Sequence, residues 1–151
     1  MPYLIDGHNL IPKIPGIKLN DLDDEQALFD LLSNHFKTLR KKAFVFFDRG
    51  APGSTSIRNT VFLSAIFVNM PSSADQAIIN HLKELGGDAR NYTIITSDHW
   101  VADHTRAIGA SVVSSETFAQ ALFMDNHKPI EKIKTIPDDI DYWLKKFQNK
   151  P

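Results

Sequence analysis

The sequence contains no cysteine. That excludes a disulfide framework, a thiolate metal site and a cysteine nucleophile, and it is compatible with the cytoplasm, the location we expect. Nor is there an apolar run of the roughly 20 residues that a membrane span needs, so no membrane partner is expected. The N-terminus lacks a basic segment followed by an apolar core, and no signal peptide is read there. A large net charge is missing too: the formal value is −1 at pH 7. A protein that holds a polyanion by bulk electrostatics is usually basic. If this chain binds one, a local patch, a metal ion or both must do the work. Glycine-rich phosphate signatures are also absent, with neither a Walker A sequence nor Gly-x-Gly-x-x-Gly, which disfavours a nucleotide cofactor. No Gly-x-Ser-x-Gly nucleophile elbow occurs.

What is present is an ordinary globular composition over 151 residues, enough chain for one domain with a real core. Apolar runs ending in a carboxylate recur. Tyr3-Leu4-Ile5 leads into Asp6-Gly7, Phe44-Val45-Phe46-Phe47 into Asp48, and Tyr92-Thr93-Ile94-Ile95 into Thr96-Ser97-Asp98. These predict strands over 3–6, 43–48 and 92–97, with two more over 61–68 and 111–113. Helices are expected over about 22–42, from Pro71-Ser72-Ser73 through 85, over 98–108 and over 115–124. Gly7, Pro12, Pro15 and Gly16 predict a loop over 7–20. Alternating strands and helices imply a parallel sheet of about five strands with helices on both faces, a doubly wound α/β domain.

We place this domain at residues 1–124. Residues 125–151 form a C-terminal extension with a short amphipathic helix at 138–147, whose Ile140, Trp143, Leu144 and Phe147 share a face. That face is expected to dock back on the domain, with a partner or homodimer contact as the alternative.

In an open parallel sheet, ligands gather outside the carboxyl ends of the strands. Asp6, Asp48 and Asp98 fall at such ends, and Asp75, in the first turn of a helix, belongs to the same edge. Singly, each has a local explanation as a turn or a helix cap. As a cluster they are costly, since two carboxylates about 4 Å apart repel by about 4 kcal/mol at an effective dielectric near 20. A hard divalent ion relieves that repulsion, and oxygen ligands without His or Cys suit Mg²⁺ or Mn²⁺. Such ions act with phosphates, which points to phosphoryl transfer or phosphodiester hydrolysis. Asn9 is a candidate to orient a water or a phosphate. Ser97 is a candidate hydroxyl donor to a phosphate, with capping as its alternative. Arg49, Arg58 and Arg106 are candidates to meet a nucleic-acid backbone, ordinary surface being the alternative for each. The lysines near residue 40 end a helix at the opposite edge and are set aside.

Leu4-Ile5-Asp6-Gly7-His8-Asn9, Phe47-Asp48, Ser73-Ala74-Asp75-Gln76-Ala77-Ile78 and Thr96-Ser97-Asp98 together resemble the NYN branch of the PIN-like nucleases, in particular the YacP-like group. The resemblance covers about residues 3–123. It implies a Rossmann-like PIN fold and a metal-dependent endoribonuclease that leaves a 5′-phosphate, with Asp6, Asp75 and Asp98 at the acidic metal-binding positions and Asp48 near them. Asn9 matches the polar residue after the first acid. RNA is the implied partner, free or in association with the ribosome. Gln76 stands where the family often has a second acid, and His8 where it commonly has an aromatic. Two alternatives stay open: a PIN-like module that grips RNA or a ribosomal partner without cutting, and an α/β phosphatase with an aspartyl nucleophile. Against the phosphatase, the second position past Asp6 is His8 rather than an acid.

Overall fold

The structure, a computed structural model, describes residues 2–17, 24–49, 59–69 and 72–126. Five strands, β1 (Tyr3–Asp6), β2 (Ala43–Arg49), β3 (Leu63–Asn69), β4 (Thr93–Ile95) and β5 (Ser111–Val113), form one sheet in the order β3-β2-β1-β4-β5. Every neighbouring pair is parallel, with Tyr3 opposite Ala43 on one side and Thr93 on the other. The helices are α1 (Gly7–Leu10), α2 (Asp24–Leu39), α3 (Ala74–Leu85), α4 (His99–Ile108) and α5 (Ser115–Asn126). Among the described residues no helix is long and apolar enough to cross a membrane.

The sheet separates two apolar cores, and strand alternation assigns each side chain to one of them. Ile5, Val45, Phe47 and Ile95 pack with Leu28, Leu32 and Phe36 of α2 and with Phe118 and Leu122 of α5. Leu4, Phe46 and Ile94 pack with Ile78, Ile79 and Leu82 of α3 and with Val101 of α4. Because the period is two, Asp6 shares a side with Leu4, and Asp48 with Phe46. Both acids therefore leave the sheet toward the α3 layer, which carries Asp75.

Crossovers from β1 run one way to β2 and β3, and the return through α3 places β4 on the other flank of β1. The strand order reverses between β1 and β4, the place at the carboxyl edge of such a sheet where ligands gather.

Three expectations need correcting. Residues 7–20 are not all loop: α1 occupies Gly7–Leu10 and a 3₁₀ turn follows at Ile11–Lys13. Pro12 lies in the first turn of that 3₁₀ segment, where its missing N–H costs nothing. The second helix stops at Leu39 rather than continuing to residue 42, because Arg40 takes φ 58° and turns the chain toward β2. β3 begins at Leu63, after Thr60 has engaged Leu63 through its hydroxyl and backbone. The expected start of α2 at residue 22, the 50–58 loop with Arg58 and the 138–147 helix lie outside the described residues.

Candidate active site

β1 ends in Asp6, which is only 5% exposed. The chain turns straight into α1 at Gly7, and close packing explains the glycine. A Cβ there would stand 2.5 Å from the Phe47 ring and 2.9 Å from the Phe46 carbonyl oxygen. The first turn of α1 can thus lie tight against β2, with the backbone amide of Asn9 facing the Asp6 carboxylate.

Asp75 enters from α3. That helix is started twice over. Ser73 is its N-cap and accepts from the Gln76 N–H at 3.2 Å, while Asp48 Oδ1 accepts from the Ala74 N–H at 2.6 Å. Asp48 therefore ties the end of β2 to the start of α3. Asp98 is the N-cap of α4, its Oδ1 accepting from the Val101 N–H at 3.1 Å. The capping explanations for Asp75's helix and for Asp98 hold locally, and they are also what brings these acids to one rim.

Asp6 and Asp75 feel the acids around them. Burial pushes the Asp6 carboxyl up to about 7, and the adjacent Asp75 and Asp48 charges push the same way. Asp75 is also raised, first by desolvation and then by Asp98 and Asp48. The contact between Asp6 and Asp75 raises the Asp6 carboxyl and lowers that of Asp75, so Asp6, the more buried of the two, is the one pushed toward holding a proton. The Thr96 hydroxyl donates to Asp6 Oδ2 at a long 3.5 Å and accepts from the Asp98 N–H at 3.1 Å.

Among the described residues, no group of three or more His, Cys, Asp or Glu side chains is already arranged to hold a metal ion. The chemistry of the donor set does fit a hard divalent cation: all oxygen and mutually repelling, with the Asp6 carboxyl pushed up by burial and by its acidic neighbours.

Asn9 lies at the centre of a second network. Its Oδ1 accepts from the Ser97 N–H and from the Ser115 hydroxyl, both at 2.7 Å. The Ser115 N–H donates to Ser97 Oγ at 2.9 Å, and Ser97 Oγ donates to Glu116. Lys13 completes the chain through Glu116 Oε2 at 3.0 Å. The Ser97 hydroxyl, first, and then Lys13 hold the Glu116 carboxyl down to about 2. Ser97, considered above as a phosphate donor, is thus engaged within the protein.

The expected arginines fare differently. Arg49 closes β2 at the rim. Arg106 is at the other end of α4, about 12 Å along the axis from Asp98, and faces Asp103 at 3.7 Å. A helix that starts at the carboxyl edge carries its last turn away from it, so Arg106 lies far from the acids of the rim.

Ser115, Glu116, Lys13 and Glu25 were passed over in the sequence. Glu25 meets His8 Nε2 at 2.6 Å, and the His8 ring packs on Phe47. Ser115 was readable only as a helix start, since its partner Asn9 is 106 residues away.

The model of the YacP-like NYN domain matches residues 3–149. Among solved structures, Rae1 (YacP) from Bacillus subtilis superposes with a TM-score of 0.73 at 18% identity, over 99% of this chain and 88% of that one. A tryptophan-to-leucine mutant of the same protein gives 0.66 at 20% identity, over 95% and 90%. No protein of curated function matches the sequence significantly. With its five-stranded parallel sheet and the family match over nearly its whole length, the chain belongs to the YacP-like NYN domain family and has its nuclease-like fold.

Proposed function

We propose that this protein is a divalent-metal-dependent endoribonuclease, with Mg²⁺ or Mn²⁺ as the ion and RNA as the substrate. The observation that carries the reading is the carboxylate rim: Asp6 buried beside Asp75 and pushed up to about 7, with Asp48 raising both and Asp98 raising Asp75. Asp6, Asp75 and Asp98 would hold the ion, with Asp48 beside them. When bound, it supplies charge neutralisation and Lewis acidity at a phosphodiester.

The chain's own residues prepare the site. Thr96 and the Asn9 amide orient the Asp6 carboxylate. Asn9, with its carbonyl fixed by two donors, has an NH₂ with no hydrogen-bond partner among the described residues, and that group would meet a water or a phosphate oxygen. Arg49 belongs to the same edge and is the candidate for the RNA backbone. Association with the ribosome and a homodimer are further proposals, which rest on the family resemblance and on the C-terminal segment.

The test is an incubation of labelled single-stranded and structured RNA with the protein, with Mn²⁺ or with EDTA. Cleavage in Mn²⁺ that disappears in Asp6→Asn is the expected result. Undiminished cleavage by that variant would remove the assignment of the site.

A second reading is an RNA-binding module that does not cut. It is favoured by the lack of a pre-arranged three-ligand group among the described residues and by Gln76, which is exposed at a position where relatives often carry an acid. RNA retention without cleavage at any Mn²⁺ concentration would select it.

A further inference from the structure

Four large apolar side chains are exposed among the described residues: Leu39, Val61, Trp100 and Met124. Three of them lie away from the carboxylate rim. Leu39 ends α2, Val61 precedes β3 at the opposite edge, and Met124 is in the far half of α5. Trp100 is the exception. It is the second residue of α4, two positions after Asp98, and it is 42% exposed.

The indole is braced. One turn along, the His104 ring lies 4.1 Å from it, centroid to centroid, at 34°. His104 Nδ1 is 2.8 Å from the Trp100 carbonyl oxygen, and an N–H donated there fixes the imidazole on the C-terminal side of the indole. Val101, Ala102 and Thr105 take the buried face of α4, so Trp100 stands on its outer side. Side chains on a helix lean toward its N-terminus, which here is the rim.

We propose that Trp100, supported by His104, is a stacking platform for an unpaired base of single-stranded RNA lying across the carboxylate rim. The proposal rests on the nuclease reading and adds to it a preference for unpaired substrate. A net charge of −1 leaves little bulk attraction for a polyanion. Contact with a base face does not need it, and an aromatic ring accepts any base. In a duplex the base faces are already stacked on one another, so the platform has nothing to receive.

Binding can be measured apart from cleavage by using Asp6→Asn in EDTA with a labelled single-stranded RNA oligonucleotide. A Trp143→Phe background leaves Trp100 as the reporting indole. Saturable quenching by the single strand is expected, with little by a blunt RNA duplex. Replacing Trp100→Ala should weaken binding of the single strand about 5- to 150-fold. Trp100→Phe should recover most of that loss, which a merely misfolded alanine variant would not explain. Unchanged affinity in Trp100→Ala, equal quenching by the duplex, or no RNA binding at all would overturn the platform. The two readings fail separately. Trp100-dependent binding without cleavage by the wild type in Mn²⁺ retains the platform and removes the nuclease. Cleavage with an affinity indifferent to Trp100 does the reverse.

Discussion

Replacing Asp6 with asparagine should make the metal-free protein more stable at neutral and alkaline pH, although it removes the central acid of the site. In the folded chain the Asp6 carboxyl is pushed from 3.8 up to about 7, chiefly by burial. Unfolded, it returns to the ordinary range near 3.9. Between these values the native state binds more protons than the unfolded state, so stability falls as pH rises. Below about pH 4 the group is protonated in both states and costs nothing. Above about pH 7 the full displacement applies, on the order of 4 kcal/mol at 1.36 kcal/mol per pH unit. About 2–3 kcal/mol of that is lost between pH 5 and pH 8. Asp75, also raised, adds to the slope in the same direction. Asparagine keeps the shape and removes the titration. The assay is urea unfolding of wild type and Asp6→Asn in EDTA at pH 5, 6, 7 and 8. Stability of the variant relative to wild type should grow with pH across this range. A difference that does not change with pH would refute the buried, proton-retaining Asp6.

Three other substitutions test the scaffold. Ser115→Ala should cost about 1–2 kcal/mol in unfolding experiments and lower the proposed RNA cleavage about tenfold, because the half-buried Asn9 Oδ1 loses one of its two donors, the buried Ser115 hydroxyl; full activity would separate Asn9 orientation from the chemistry. Gly7→Ala should destabilise by about 1–3 kcal/mol, since the new methyl meets the Phe47 ring and the Phe46 carbonyl; a neutral thermal melt would show that β1 and β2 can part there. Asp48→Ala should lose about 1–2 kcal/mol with the cap on Ala74, whereas Asp48→Asn should keep most of that stability and lose only the charge; equal losses would locate the effect elsewhere.

The parts of this protein that sequence makes readable are those governed by local periodicity. Apolar runs broken by Asp6 and Asp48 mark the strand ends, and Ser73 and Asp98 mark helix starts by their capping chemistry. The convergence of the acids follows from a parallel sheet, whose carboxyl ends share one edge. What stayed hidden depends on contacts between distant residues or on the course of an element. The role of Asn9 as an acceptor for Ser97 and Ser115 needs the tertiary structure. The distance of Arg106 from Asp98 depends on α4 running away from the rim, which sequence proximity does not show. The short helix at Gly7 was masked by Gly7 and Pro12, residues that break helices in isolation but here permit a tight approach and a 3₁₀ start.

The most direct test of the proposed metal site is a Mn²⁺ titration followed by thermal unfolding, wild type against Asp6→Asn at pH 8. An ion that binds only the native state stabilises it by mass action, by about 2.7 kcal/mol at a hundred times its dissociation constant. Wild type should melt at rising temperature as Mn²⁺ increases, and Asp6→Asn should not. A wild-type melting temperature indifferent to millimolar Mn²⁺ would contradict the account.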